Sequence, residues 1–203
     1  MRKLLLAIAV VLPLAVGGAP VAVAEDPEDS SVSYLAGVLL YANEHYTQAM
    51  RVIRPFAEEG EAPAQYIVGN MHNYGWGVVE DDVEAAKWYR KAAEQGHAHA
   101  QSSLAILYEL GSGVAQDHAA AATWYRKAAA AKNLTALIEL GAMYLKGEGV
   151  KADTVEAYSW FLLASRISLQ FAKKRADKIA KGMTEAQLKE ARQRADLWSA
   201  AHP

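Results

Sequence analysis

The sequence predicts an all-α fold: a solenoid of stacked antiparallel helix pairs that ends in a C-terminal helical cap. First, residues recur at a fixed step, so that Ala64, Ala100 and Ala136 are each 36 residues apart. Second, every step carries a G-x-G-V loop between two segments whose apolar residues have helical spacing. A fixed period of this size indicates stacked repeats, because one unit alone cannot bury its apolar face.

The composition is that of a folded protein, with 52% hydrophobic and 22% charged residues among 203. The chain has no cysteine, which excludes disulfides, thiol catalysis and cysteine-ligated zinc. A formal net charge of −2 is too small to indicate a nucleic-acid partner. We therefore expect neither a cofactor nor nucleic-acid binding.

Residues 1–24 have the pattern of a secretory signal peptide. Arg2 and Lys3 precede an apolar run, Leu4–Val16, and Ala22-Val23-Ala24 is a cleavage motif. The alternative is an uncleaved membrane anchor, but the run is shorter than the roughly 20 apolar residues that a spanning helix needs. We expect a periplasmic or secreted protein with no stable membrane span after cleavage.

The segment after the signal peptide is predicted as an acidic linker over residues 25–33, followed by a divergent first helix pair over residues 34–59. Its helices are predicted at Tyr34–Asn43 and Tyr46–Glu59, with a kink at Pro55. This pair covers one end of the stack.

Three regular units follow at residues 60–95, 96–131 and 132–167, each with a helix A, a loop and a helix B. Small residues on helix A allow close helix packing, and the loop glycines supply the positive φ angles that end helix A. An aspartate then caps helix B, which carries the large aromatic residues. The recurring residues are Gly75, Gly111 and Gly147; Gly77, Gly113 and Gly149; Asp81, Asp117 and Asp153; Trp88, Trp124 and Trp160.

The helix B starts and tryptophans lead to two further expectations. Asp81 with Glu84 has capping-box spacing, as has the third unit, whereas Ala120 replaces the glutamate in the second. The second helix B should therefore have the weakest start. Trp124 lies in the middle unit, so its replacement by alanine is expected to cost about 3–5 kcal/mol.

The repeated pattern, A-x3-[LV]-[GA]-x5-G-x-G-V-x2-D-x3-A-x2-W-[YF]-x2-A, resembles the Sel-one-like repeat, a relative of the tetratricopeptide repeat. The resemblance covers three full units and, more loosely, residues 34–59. It implies a right-handed α-solenoid and a non-catalytic adaptor or regulator of the bacterial cell envelope that binds another protein. The sequence departs from the pattern at His72 for tyrosine, Lys132 for glycine and Leu163 for lysine.

Residues 168–203 are predicted to form two capping helices, at Gln170–Lys181 and from Thr184 to about Ser199. Here the 36-residue period fades, and the charge balance changes from −9 over residues 25–165 to +5 over residues 166–203. This basic part is either a solvated cap or a docking surface for an acidic partner or an anionic envelope component.

No pattern indicates catalysis or a metal site. The G-x-G turns follow helices instead of strands, which argues against a phosphate loop. His97 and His99 are two residues apart, a spacing that does not share a helix face, so we predict no metal site there. His72 is expected to replace a core tyrosine, and no serine, histidine and aspartate trio stands out. We predict that the chain is not an enzyme.

The predicted binding surface is a row of helix A positions opposite the buried face, which the repeat architecture places on the concave side of the stack. These positions vary between units, whereas the packing positions repeat. The alternative is that the terminal helices or a second copy of the chain cover them. The predicted row is Tyr66, Asn70, Asn73, Ser102, Ile106, Glu109, Ile138, Ala142 and Leu145.

The exposed apolar members expected in the row suit another protein or peptide as the partner. The alternative function is binding of cell-wall glycan or another envelope polymer, through polar groups of the groove and basic residues of the cap such as Lys173, Lys174 and Arg175.

Overall fold

A computed structural model describes residues 30–167 and 169–202, and within these ranges it contains ten helices and no strand. The predicted all-α class is confirmed. The predicted signal peptide lies outside the described residues. The helices are α1 Ser30–Ala42, α2 Tyr46–Glu59, α3 Ala62–Tyr74, α4 Asp82–Glu94, α5 Ala98–Leu110, α6 His118–Ala130, α7 Leu134–Lys146, α8 Thr154–Ile167, α9 Leu169–Ala180 and α10 Glu185–Ala201.

The first helix pair is longer than predicted. Helix α1 begins at Ser30, the first described residue, inside the segment predicted as a linker. Helix α2 continues through Pro55 to Glu59. The two helices pack edge to face through Tyr34 and Phe56, whose ring centroids are 5.3 Å apart.

Within the regular units, an aromatic ring of helix B lies against a small residue of helix A. A Cβ on Gly69 would come within 2.6 Å of the Tyr89 ring, and one on Gly141 within 2.7 Å of the Phe161 ring. Tyr125, at the equivalent place in the middle unit, is fully buried. The small residues therefore leave the space that these rings fill.

The three equivalent tryptophans are less alike than the rings beside them. Trp88 and Trp160 are buried, whereas Trp124 is only partly buried. Lys127 lies 4.0 Å from the Trp124 ring centroid, as Lys91 does from Trp88, so a lysine covers part of each ring. Because Trp124 keeps more contact with solvent, the largest packing loss in the middle unit is now expected at Tyr125.

The two glycines of each loop have different structural roles. The first, such as Gly111 at φ 74°, is the left-handed C-cap that ends helix A. The second, Gly113 in the middle unit, has φ 66°, and a Cβ there would overlap the carbonyl group of Asp82. The second glycine thus lets the loop contact the first turn of helix B in the preceding unit.

The helix B starts show why the predicted capping boxes do not form. Asp81 and Asp117 both accept from the backbone N–H three residues later, at 3.0 and 2.9 Å. Their own N–H groups already donate to carbonyl oxygens of helix A, from Asp81 to His72 and from Asp117 to Tyr108, each at 2.9 Å. A glutamate is therefore not needed for this bond, and the second start has the same two hydrogen bonds as the first, whereas its relative weakness stays a prediction.

Helix α9 continues the stack further than the sequence suggested, whereas α10 packs against α8. Ala172 and Ala176 of α9 are buried and stand 36 residues after Ala136 and Leu140 of α7. Helix α9 thus occupies the place of a fourth helix A. Thr184 and Gln187 form the predicted capping box at the start of α10.

Candidate partner-binding surface

The structure divides the nine residues of the predicted row by burial. Asn70 and Ser102 are buried, at 8% and 5% exposure, and Leu145 is exposed at 40%. The other six are partly buried: Tyr66, Asn73, Ile106, Glu109, Ile138 and Ala142. The expectation that the whole row faces solvent is therefore wrong for Asn70 and Ser102, while the binding role of the row stays a prediction.

The neighbouring unit explains this partial burial. Ile138 and Ala142 pack against a cluster that includes Phe161 of α8 and Ala176 of α9. In the same way the ring of Tyr66 lies 4.8 Å from the ring of His97 in the next unit. Each helix A is thus partly covered by the next one, which a helical projection of a single unit does not include.

Tyrosines of helix B reach through to this face with their hydroxyl groups. Tyr89 donates to Asn70 Oδ1 at 2.8 Å, and Asn70 Nδ2 lies 3.4 Å from the hydroxyl of Tyr41. Burial raises the pKa of Tyr89, so its hydroxyl stays protonated and acts as a donor. Asn70 is therefore held between two tyrosines.

In the middle unit the helix B tyrosine is paired with a carboxylate in place of an amide. Tyr125 donates to Glu109 Oε2 at 2.9 Å. Burial, and then the negative charge of Glu109, raise the pKa of Glu139, whereas Arg175 and Lys146 oppose this shift. The third unit has Phe161 in place of the tyrosine. The helix B hydroxyl is therefore paired with an amide in the first unit and with a carboxylate in the middle unit, and it is absent from the third unit, where Glu139 of α7 still provides a carboxylate.

Two histidines also belong to this face. His97 Nδ1 accepts from the N–H of Ala100 at 3.2 Å and so caps α5. His99 Nδ1 lies 3.3 Å from Asn133 Nδ2, while Asn133 Oδ1 accepts from the N–H of Ala136 at 3.1 Å. The backbone bond fixes the orientation of the Asn133 amide, so His99 Nδ1 acts as an acceptor.

The imidazoles are closer together than their spacing suggested, with ring centroids 6.1 Å apart, because His97 precedes the helix. Both rings lie against Tyr66. Within residues 30–167 and 169–202, no group of three histidine, aspartate or glutamate side chains is arranged as a metal site.

An open cleft of about 570 Å³ lies where α7, α8 and α9 meet. Leu145 and Ile179 give it an apolar wall. The other lining residues are Thr154, Arg175, Lys178 and Gly182. The most exposed residue of the predicted row thus borders a cleft that also carries cationic groups.

Sequence reasoning missed the hydroxyls of Tyr89 and Tyr125, the carboxylate of Glu139 and the cleft. One signal was available, because the repeated aromatic position is tyrosine in two units and phenylalanine at Phe161. A buried hydroxyl needs a polar partner, so the tyrosines indicate polar groups nearby on helix A.

Comparison with known proteins fits this architecture. The model of the Sel1 repeat family matches residues 62–97, 98–133 and 134–167, just over half of the chain. The chain belongs to the Sel1 repeat family. Sel1 repeats generally mediate protein–protein interaction and act as non-catalytic scaffolds. No curated protein matches the chain significantly in sequence.

Two solved structures resemble this Sel1 repeat protein. A Sel1 repeat protein from Oxalobacter formigenes is 33% identical, with a TM-score of 0.67, and the match covers 70% of this chain and 59% of that one. A protective antigen of uropathogenic Escherichia coli strains with an SLR fold is 25% identical, with a TM-score of 0.61, and the match covers 86% and 46%. The predicted α-solenoid is thereby confirmed, and the chain spans only about half the length of each relative.

The described helices carry no candidate membrane span: none of them combines sufficient length with sufficient apolar character to cross a bilayer.

Proposed function

We propose that this Sel1 repeat protein is an exported adaptor of the bacterial cell envelope, which binds a protein or peptide along the A-helix face, the surface formed by α3, α5 and α7. One observation carries the proposal. The packing residues repeat from unit to unit, whereas equivalent positions on this face change from Asn73 to Glu109 to the apolar Leu145. Such variation on a constant scaffold favours recognition of one particular sequence.

Crosslinking tests the location of the surface. A photoreactive amino acid is placed at Asn73 or Glu109 on the A-helix face, and at the exposed residues Lys87 or Thr123 of helix B as controls. We expect the same protein to be captured from both A-helix positions and from neither control. Capture from the control positions, or from no position, would contradict the proposal.

The same captured protein is then purified and its affinity measured directly. Ile106→Glu places a charge on the A-helix face and is expected to weaken binding at least tenfold. Thr123→Glu is the matched control on helix B and should change the affinity less than twofold. Helical circular dichroism verifies that both variants fold.

Export is supported by the basic start and the cleavage motif, Ala22-Val23-Ala24. The expected mature protein begins at Glu25 and is released with the periplasmic or secreted fraction. Intact-mass measurement checks this, and a full-length chain retained in the membrane fraction would indicate an anchor instead.

A further inference from the structure

The predicted row does not end at α7, because α9 occupies the place of the next helix A. Residues 36 positions after Ile138, Ala142 and Leu145 are all lysines. Lys174 and Lys178 have i, i+4 spacing on one face of α9, and Lys181 follows directly after the last residue of that helix, Ala180. We call them the lysine row: Lys174, Lys178 and Lys181.

The positive charges of the lysine row are accessible to a binding partner. All three lysines are exposed, and none of them forms an ion pair among the described residues. Arg175, beside them in the cleft, lies 5.9 Å from the Phe161 ring centroid. Arg175 thus lines the cleft and has contacts of its own, so the inference is based on the lysines.

The cleft adds an apolar element next to these charges. Leu145 and Ile179 line it together with Lys178, and Leu145 is 40% exposed. Burial of a leucine-sized side chain in an apolar site stabilises a complex. Opposite charges beside the site fix the direction in which the bound segment runs.

We propose that the cleft binds an aliphatic side chain of a partner peptide whose neighbouring aspartate or glutamate residues contact the lysine row. This inference rests on the proposed adaptor function and names the chemistry of the segment bound at the α9 end. A peptide fits better than an anionic polymer, because a polymer of charged sugars has no aliphatic group for the wall formed by Leu145 and Ile179.

The experiment uses the purified full chain and fluorescein-labelled twelve-residue peptides. Each peptide alternates glutamate and serine and carries one leucine in place of a serine, at a position that differs from peptide to peptide. The parent peptide has serine at that position. We expect at least one leucine peptide to bind tenfold more tightly than the parent, measured by fluorescence anisotropy. The same peptide with lysine for glutamate should not bind.

Two charge reversals in the same basic region separate specific from general attraction. Lys178→Glu is expected to weaken binding of the leucine peptide at least tenfold. Lys189→Glu changes the net charge equally but lies on α10, outside the cleft lining, and should alter the affinity less than twofold. Leu145→Ser should remove the preference for leucine while leaving the parent peptide unaffected.

The proposal is overturned if no leucine peptide exceeds the parent, or if both charge reversals weaken binding equally. Competition by polygalacturonate as strong as that by the leucine peptide would also overturn it, in favour of a polymer site. Any of these results leaves the crosslinking test at Asn73 and Glu109 unaffected, so the adaptor function is tested separately.

Discussion

The regular units and the C-terminal pair hold their neighbours by different means. In the regular units a helix B ring fills the space beside a small residue of helix A, as Phe161 does at Gly141. Leu197 stands 36 residues after Phe161 but is 65% exposed. Helix α10 instead buries Ala191 and Ala195, and Arg194 joins it to α8. Inside the stack, each unit thus packs a helix B ring against a small residue of its own helix A. At the end, α10 is held by small residues, by ion pairs and by the edge-to-face contact of Trp198 with Trp160, whose ring centroids are 5.5 Å apart.

The largest expected effect is on the ring packing of the middle unit. Tyr125→Ala removes a fully buried ring and should lower the free energy of unfolding by about 3–5 kcal/mol. Leu197→Ala, at the corresponding step in the C-terminal pair, should cost less than about 0.5 kcal/mol because it is exposed. Urea unfolding followed by circular dichroism measures both. Equal losses would show that the two regions pack alike.

The loop glycines provide the next comparison. Gly113→Ala forces a side chain into a left-handed conformation and against Asp82, which together should cost about 2–5 kcal/mol. A Cβ on Gly182, in the C-terminal loop, would meet only Ile179 O at 3.8 Å. Gly182→Ala should therefore change stability by less than about 1 kcal/mol. Thermal melting separates the two, and a harmless Gly113→Ala would contradict the contact between units.

Ion pairing at the end of the stack is expected to contribute less. Arg194 Nη1 lies 2.7 Å from Glu156 and 3.2 Å from Asp153, and Nη2 lies 2.6 Å from Glu190. The groups are partly exposed, so Arg194→Gln should cost only about 1 kcal/mol at low salt and less in 1 M NaCl. Urea unfolding at both salt concentrations measures this. A loss independent of salt would mean that Arg194 acts through packing.

The same contact has a defined pH dependence. Burial alone would raise the pKa of Asp153, but the N–H of Glu156 and the guanidinium of Arg194 hold it below its ordinary value of 3.8. A lowered pKa in the folded state stabilises the protein above pH 3.8, and this contribution is lost as the pH falls further. The difference between wild type and Arg194→Gln should therefore shrink below that pH.

The smallest effect concerns the start of α5. Burial, and then His99, lower the pKa of His97 below 6.5, so protonation favours the unfolded state. Its contribution is complete above pH 6.5 and is lost as the pH falls toward the folded pKa. His97→Asn should reduce the loss of stability between pH 7 and 5, since asparagine caps without titrating. Thermal melts at both pH values check this.

Asn133 is the natural reference for this substitution, because it caps α7 at the position 36 residues after His97. His45→Asn, at an exposed N-cap histidine whose side chain makes no cap hydrogen bond, is the matched control substitution. An unaltered profile in His97→Asn would show that another group causes the acid sensitivity.

The 36-residue period of the sequence was sufficient to locate the repeated helices. Residues such as Gly75 and Asp81 have equivalents with the same local geometry in the other two units. It did not reveal α9 as a fourth helix A, since its buried positions hold only Ala172 and Ala176, which carry little pattern. Nor could it place Asn70 as buried, because that burial comes from contacts with other helices. The sequence was therefore sufficient to choose the positions of the predicted row but not to say which of its side chains are exposed to solvent.

The bond from each capping aspartate to the preceding helix A has a practical consequence. In the middle unit, Asp117 N–H donates to Tyr108 O and so joins helix B to helix A, while Gly113 contacts the preceding unit. Each 36-residue module, meaning one helix A, its loop and one helix B, therefore contains both the contact that joins its two helices and the contact to the module before it. A module of 36 residues is consequently a natural unit for duplication, deletion or exchange, provided that the splice keeps the step intact. We therefore expect that whole modules can be added to or removed from this protein without changing the contacts between the remaining ones.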